Sequence, residues 1–370
     1  MSHLCLVMIV KNESKVIEEC LDSVHQFIDT WVICDTGSND NTIEIINNYF
    51  KKKNIKGELY EDDWVNFGYN RSLALKRSKS LSSYSLVMDA DDRLIGNLII
   101  PDTKCTCFSI KLILNNIEYY RKQIFRNDLD WKYKGIIHEY PMYTKKSKLD
   151  KEGIIHNCYI RAGCFGNRNN DKLHKYKNDI ELLLKGLNNE PNNTRYYFYL
   201  ANSYRAIRDY KNAIKYYQKR ISLNNWDEEI YYSLYSVALC KEKMNLNFED
   251  EIIYDYLRAF NFRNTRLEAL YRIVYFFRNK KQYDKAFAYG MLGYLNKYPK
   301  DDKLFIDIPI HTYKFKDELS ISAYHCGFYK ISISLINEII KNNSKNISKQ
   351  NLDRIIKNAE FCNQKIKKNQ

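Results

Sequence analysis

The 370-residue chain is 45% hydrophobic and 28% charged, and its 59 Lys and Arg outnumber 45 Asp and Glu to give a net charge of +14. This mixture reads as folded and soluble rather than disordered, and the length favours two domains over a single core. A basic balance can draw nucleic acid, anionic membrane or nucleotide phosphates. No zinc finger, RNA-binding aromatic signature or basic helical stripe accompanies it, so nucleic acid is not an expected partner.

Leu4 to Val10 is a continuous apolar run, the pattern of a buried strand. It is too short for a signal peptide or a membrane span, and no other transmembrane segment is expected, which points to a cytoplasmic protein. The ten cysteines show neither CxxC nor zinc spacing, consistent with reduced, buried thiols. After the turn at Lys11-Asn12-Glu13, Val16, Ile17, Cys20, Leu21 and Val24 recur at helical spacing. Trp31–Cys34 reads as a second strand stopped by Asp35-Thr36-Gly37-Ser38-Asn39-Asp40. Thr42 to Phe50 is helical again, and Leu86–Met88 is a further buried strand ending in Asp89. Strands alternating with helices imply an α/β domain with a largely parallel sheet and helices on both faces. Ligands of such sheets sit at the carboxyl ends of the strands. Those ends carry Asn12 and Glu13, Asp35, and Asp89 to Asp92.

From about residue 175 the strand pattern gives way to helices. Tyr197, Leu200, Ala201, Tyr204, Ala213 and Tyr217 fit a tetratricopeptide-like unit, and Leu270, Ile273, Val274, Phe277, Ala286 and Gly290 repeat its spacings 73 residues later. Tyr231, Leu234, Tyr235 and Ala238 begin a middle repeat. Ile321 to Ile340 and Leu352 to Phe361 form terminal capping helices. The expected organisation is a catalytic domain over residues 1–170 and an all-α repeat domain over 171–370.

Val87-Met88-Asp89-Ala90-Asp91-Asp92 brings clustered carboxylates to a strand end, which is costly unless they meet a cation or water. Oxygen donors with open positions suit Mg²⁺ or Mn²⁺ bridging a diphosphate. In the second segment, Gly37 permits a tight turn and Ser38 or Asp40 can cap the next helix. Turn-making accounts for these three residues better than for Asp35.

Together, Met8-Ile9-Val10-Lys11-Asn12-Glu13, Cys20-Leu21-Asp22-Ser23-Val24, Asp35 to Thr42 and Asp89-Ala90-Asp91-Asp92 resemble family 2 glycosyltransferases of the GT-A fold. Trp64, Asn66, Phe67, Gly68 and Asn70-Arg71 resemble the stretch before the metal motif of that family. Trp131 with Gly135-Ile136-Ile137-His138-Glu139 resembles its later His-Glu element. The branch with fused tetratricopeptide repeats is the most similar, so the resemblance spans nearly the whole chain.

The resemblance implies a Rossmann-like GT-A domain that uses a UDP-sugar donor and a divalent cofactor, Mn²⁺ or Mg²⁺. Asp35 would contact the base, with Asn12 and Glu13 close by. Asp89 would approach the ribose, and Asp91 would ligate the metal with His156 as a further ligand. Arg71 and Lys172 would neutralise the diphosphate. Glu139 is the candidate catalytic base for a glycan or glycoprotein acceptor, with Asp130 as its alternative. Inversion and retention both stay open, as do presentation of the acceptor and homodimer formation by the repeats. A repeat scaffold with an inactive sheet domain, and a nucleotidyltransferase, are the rival classes; the latter's glycine-rich basic signature is missing.

Overall fold

The apolar run Leu4–Val10 forms a strand, β1, buried along almost its whole length, as expected when both faces of a sheet are covered by helices. Its alternating side chains feed two cores. Leu4, Leu6, Met8 and Val10 pack with Ile17, Cys20, Leu21 and Val24 on one side, while Cys5 and Val7 join Val32, Cys34, Ala74 and Leu75 on the other. The computed structural model describes residues 3–103, 105–143, 151–163, 172–244, 249–343 and 347–368.

After β1 come α1 (Ile17–Val24), β2 (Thr30–Asp35), α2 (Thr42–Lys53), β3 (Gly57–Glu61), α3 (Phe67–Ser78) and β4 (Tyr84–Val87). There follow β5 (Arg93–Gly96), β6 (Cys107–Leu114), β7 (Ile117–Arg126), β8 (Trp131–Lys134), β9 (Tyr140–Tyr143) and β10 (Glu152–Arg161). The sheet order is β3-β2-β1-β4-β7-β6-β10-β5. From β3 to β4 all neighbours are parallel, as the strand–helix alternation predicts. Beyond β4 the sheet is mixed, because β7 runs antiparallel to β4 and β6. β6 and β7 are a hairpin, turned at Asn115 with φ 55°, a conformation asparagine tolerates well. β10 then lies parallel to β6 and antiparallel to β5. The short pair β8–β9 stands apart from this sheet.

Two helices follow, α4 (Lys172–Asn189) and α5 (Thr194–Ala206). The expected domain boundary after residue 170 lies outside the described residues. The first compact unit runs to Ile207 and the second begins at Arg208, so α4 and α5 group with the sheet. Packing explains this. The Tyr196 hydroxyl accepts a hydrogen bond from the Ile136 amide at 3.3 Å. Gly186 lies so near the Tyr196 ring that an added Cβ would come within 2.9 Å of it.

The second unit contains α6 (Tyr210–Ser222), α7 (Asp227–Lys243), α8 (Glu249–Phe262), α9 (Glu268–Asn279), α10 (Tyr283–Met291), α11 (Phe315–His325), α12 (Tyr329–Asn343) and α13 (Lys349–Lys368). Each packs on its sequence neighbour, the arrangement of a helical-repeat stack. Leu270, Ile273, Val274, Phe277 and Ala286 are buried in its core. At Gly290 a Cβ would meet Leu319 Cδ1 at 2.6 Å, so this repeat position needs a small residue. The capping stretch from Ile321 to Ile340 is two helices, broken at Gly327 with φ 81°. Among the described residues no helix is long and apolar enough to cross a membrane.

Candidate active site

The carboxyl ends of β1 and β2 are tied together by side chains. Asn12 sits at φ 56°. Its amide donates to Ser38 Oγ at 2.8 Å, and its Oδ1 accepts from the Asn39 amide at 2.8 Å. The Glu13 amide donates to Thr42 Oγ1, also at 2.8 Å. Asp35, the last residue of β2, is only 1% exposed. Its Oδ1 accepts from the Gly37 and Ser38 amides at 2.8 and 2.7 Å, and its Oδ2 accepts from Ser38 Oγ. The carboxylate that turn-making was expected to explain least is therefore the acceptor that builds the turn. Three hydrogen bonds thus occupy a carboxylate that has about four acceptor directions.

The acidic turn follows β4. The Cys20 thiol on α1 donates to the Asp89 carbonyl at 3.4 Å. Arg93 holds the far side of the turn through the Ala90 and Asp92 carbonyls. One Asp89 oxygen pairs with Arg71 Nη2 and the other with Arg121 Nη1 at 3.1 Å. Burial alone would disfavour its charge, but the two guanidinium groups hold the carboxyl well below the usual range. Asp92 is buried; it accepts from the Gly163 amide at 3.3 Å and from Arg121 Nη2 at 3.2 Å. Burial, helped by the charge of Asp89, pushes its carboxyl up to about 7 against the pull of Arg121. Asp91 is half-buried between them.

Helix α3 delivers Arg71. Its N-cap Asn66 accepts from the Tyr69 amide at 2.9 Å. The buried Asn70 fixes the preceding loop, accepting from Val65 N at 3.0 Å and donating to the Asp63 carbonyl at 3.0 Å. A Cβ on Gly68 would lie 2.5 Å from the Gly135 carbonyl oxygen, so glycine lets α3 press against the β8–β9 loop. One helical turn on, Arg71 Nε donates to Glu139 Oε1 at 2.7 Å while Nη2 serves Asp89. The Arg71 and Glu139 side chains are each 11% exposed. One guanidinium thus spans two chemically distinct motifs.

Three expected residues are not brought to this cluster. β10 pairs Arg161 with Arg93 and Cys158 with Gly96. Continuing that register sets Gly163 beside Asp91, where a Cβ would collide with the Asp91 carbonyl. His156 is exposed and seven residues earlier, beyond the register shift that lies between Ile155 and Tyr159; the four regular steps from Gly163 to Tyr159 alone span roughly 13 Å at about 3.3 Å per residue. Its assignment as a metal ligand with Asp91 is corrected on that geometry. Asp130 pairs with Lys79 beyond the other end of α3, with its side chain 64% exposed, so it is no alternative to Glu139. Lys172 is an exposed residue opening α4, and no ion pair among the described residues joins it to the carboxylates. Sequence reasoning missed Arg121. Its signal was register: β4 and β7 pair Leu86 with Ile124 and Tyr84 with Arg126, which extrapolates to Asp89 opposite Arg121.

Asp89, Asp91, Asp92 and Glu139 bring four carboxyl groups to the neighbourhood of Arg71 and Arg121. Their donors are all oxygen, the set that suits Mg²⁺ or Mn²⁺. Among the described residues no group of three or more His, Cys, Asp or Glu is arranged as a metal cage. A cleft of about 1580 Å³, lined by Lys79, Tyr84, Asp102 and Arg126 among others, opens where β4 begins, away from this chemistry.

Residues 5–101 match the family described as Glycosyl transferase family 2. The N-terminal domain is a family 2 glycosyltransferase domain. The matched stretch holds Asn12, Glu13, Asp35, Arg71, Asp89 and Asp91 and ends before Arg121 and Glu139. The SPbeta prophage-derived glycosyltransferase SunS of Bacillus subtilis (strain 168) is 29% identical over 231 residues, 59% of this chain and 53% of that one. The glycosyltransferase SunS of Bacillus phage SPbeta matches to the same extent. A TPR repeat-containing protein of Synechococcus elongatus is 33% identical over 96 residues, covering 26% of this chain and 22% of its own. The chain spans about half the length of the SunS relatives. Among solved structures, MamA is similar at 15% identity and a TM-score of 0.36, covering 49% of this chain and 96% of that one.

Proposed function

We propose that the chain is a metal-dependent hexosyltransferase that moves a sugar, glucose as the first donor to test, from its UDP conjugate to a hydroxyl of a glycan or glycoprotein. One observation carries the reading: Arg71 bridges Asp89 of the acidic turn and Glu139 of the His-Glu loop, so metal-motif and base candidates lie one guanidinium apart.

In this reading Asp35 and the Asn12–Glu13 turn receive the base. Asp91, with donor diphosphate oxygens, would hold Mn²⁺ or Mg²⁺, which when bound offsets charge on departing UDP. Arg71 and Arg121 supply fixed positive charge beside the same phosphates. The acceptor oxygen forms a bond to the anomeric carbon as the bond to the phosphate oxygen breaks. UDP leaves with that electron pair, and Glu139 takes the hydroxyl proton. Direct displacement of this kind inverts the anomeric centre. A groove of about 690 Å³ lined by Asn66, Tyr69, Tyr133, Ile136, Tyr143 and Tyr196 adjoins the loop, and the exposed Tyr69 offers its ring and hydroxyl to an acceptor.

The test is release of UDP from a panel of UDP-sugars with and without Mn²⁺, and product detection by mass. Metal-dependent release from one donor supports the proposal. Silence across the panel, with UDP and Mn²⁺ also failing to bind, overturns it.

A further inference from the structure

His138, the residue before Glu139, has φ 54°, a left-handed conformation uncommon outside glycine. Its surroundings come from helix α5. The His138 ring stacks on Tyr199, with centroids 3.8 Å apart and planes 8° from parallel. The His138 carbonyl accepts from Arg195 Nε at 2.7 Å. The Arg195 guanidinium lies over the rings of Tyr199 and Tyr140, at 4.9 and 5.6 Å. Asn193 fixes where α5 begins, accepting from the Arg195 and Tyr196 amides at 3.1 and 3.3 Å. Residues 195, 196 and 199 then share one helical face, and Tyr196 receives the Ile136 amide of the same loop.

We infer that Arg195 and Tyr199 are positioning residues for Glu139: a helix beyond the sheet holds the backbone turn that aims this carboxylate at Arg71. The inference rests on the glycosyltransferase reading for what Glu139 does, but its geometry can be tested separately. Both residues meet the loop itself, at His138 and Tyr140, and act through it. A misplacement of about 1 Å at a reacting group can cost on the order of a hundredfold in rate.

The experiment uses the full chain with UDP-glucose and Mn²⁺ as probes, and compares wild type with Tyr199→Ala, Tyr199→Phe, Arg195→Ala and Arg195→Lys. Tyr199→Ala and Arg195→Ala should lower kcat for UDP release about tenfold to a hundredfold, leave KM within about twofold, and speed amide hydrogen exchange at Ile136 to Glu139. Tyr199→Phe keeps the ring but not the hydroxyl that accepts from Arg195 Nη2 at 3.3 Å, and should restore most of both readouts. Arg195→Lys loses the planar stacked guanidinium and should recover only part. Unchanged exchange in Tyr199→Ala overturns the inference, as does an unchanged kcat. If wild type turns over no UDP-glucose, loop exchange alone decides the inference, while the donor panel decides the activity.

Discussion

Arg71 Nε meets Glu139 Oε1 at 2.7 Å, although the two residues are 68 positions apart and lie in motifs with no sequence reason to touch. With Nη2 on Asp89, the guanidinium satisfies two carboxylates in a site from which water is largely excluded. Arg71→Ala should leave Glu139 without this counter-charge and Asp89 with Arg121 alone, and destabilise the fold by up to about 3 kcal/mol. Arg71→Lys keeps the charge but not the fork and should fall between. Urea melts check the order; a wild-type midpoint for the alanine variant would refute the structural role of the bridge.

Metal dependence separates the two expected ligands. Asp91→Ala should abolish Mn²⁺-stimulated UDP release while the thermal midpoint stays near that of wild type. His156→Ala should leave the Mn²⁺ concentration for half-maximal release within about twofold, because strand register holds His156 beyond Tyr159, roughly 13 Å or more from the acidic turn. A weakened metal response in His156→Ala would contradict that register.

Glu139→Gln conserves shape but cannot accept the acceptor's proton. Turnover with acceptor should fall about a hundredfold or more, with KM for the donor little changed. Single-turnover kinetics at saturating donor would report it. An unaffected rate would remove Glu139 as base and leave it a partner of Arg71 only.

Gly68→Ala tests the approach of α3 to the β8–β9 loop. Its Cβ would sit 2.5 Å from the Gly135 carbonyl oxygen, which forces one element to retreat at a cost of about 1–3 kcal/mol. Both the melting midpoint and kcat should drop, because the retreat pulls Arg71 away from Glu139. Loss of stability with full kcat would show that the loop follows the helix.

Continuous apolar runs and helical spacing revealed β1, β2, α1, α2 and the strand before Asp89, because each buries a face that its own residues define. The mixed half of the sheet was harder to see. Ile117–Arg126 interleaves tyrosine, lysine and arginine with apolar residues, and only pairing to β4 distinguishes Arg121 from its neighbour Lys122. Asp35 illustrates a different limit: the side chain was found, but whether its oxygens serve a ligand or its own turn depends on backbone geometry. Periodicity likewise shows that α5 has an apolar face without showing what covers it. Tyr197 and Leu200 fit the repeat register, yet Arg195, Tyr196 and Tyr199 of the same helix meet the His-Glu loop.

Because the first compact unit closes at Ile207, the seam for recombining this fold with other repeat arrays falls after that residue. A chimera spliced at 171 would inherit every acidic motif and still lack the scaffolding that sets the angle of Glu139. Homologues whose sheet is followed by unrelated helices would need another brace for the same loop.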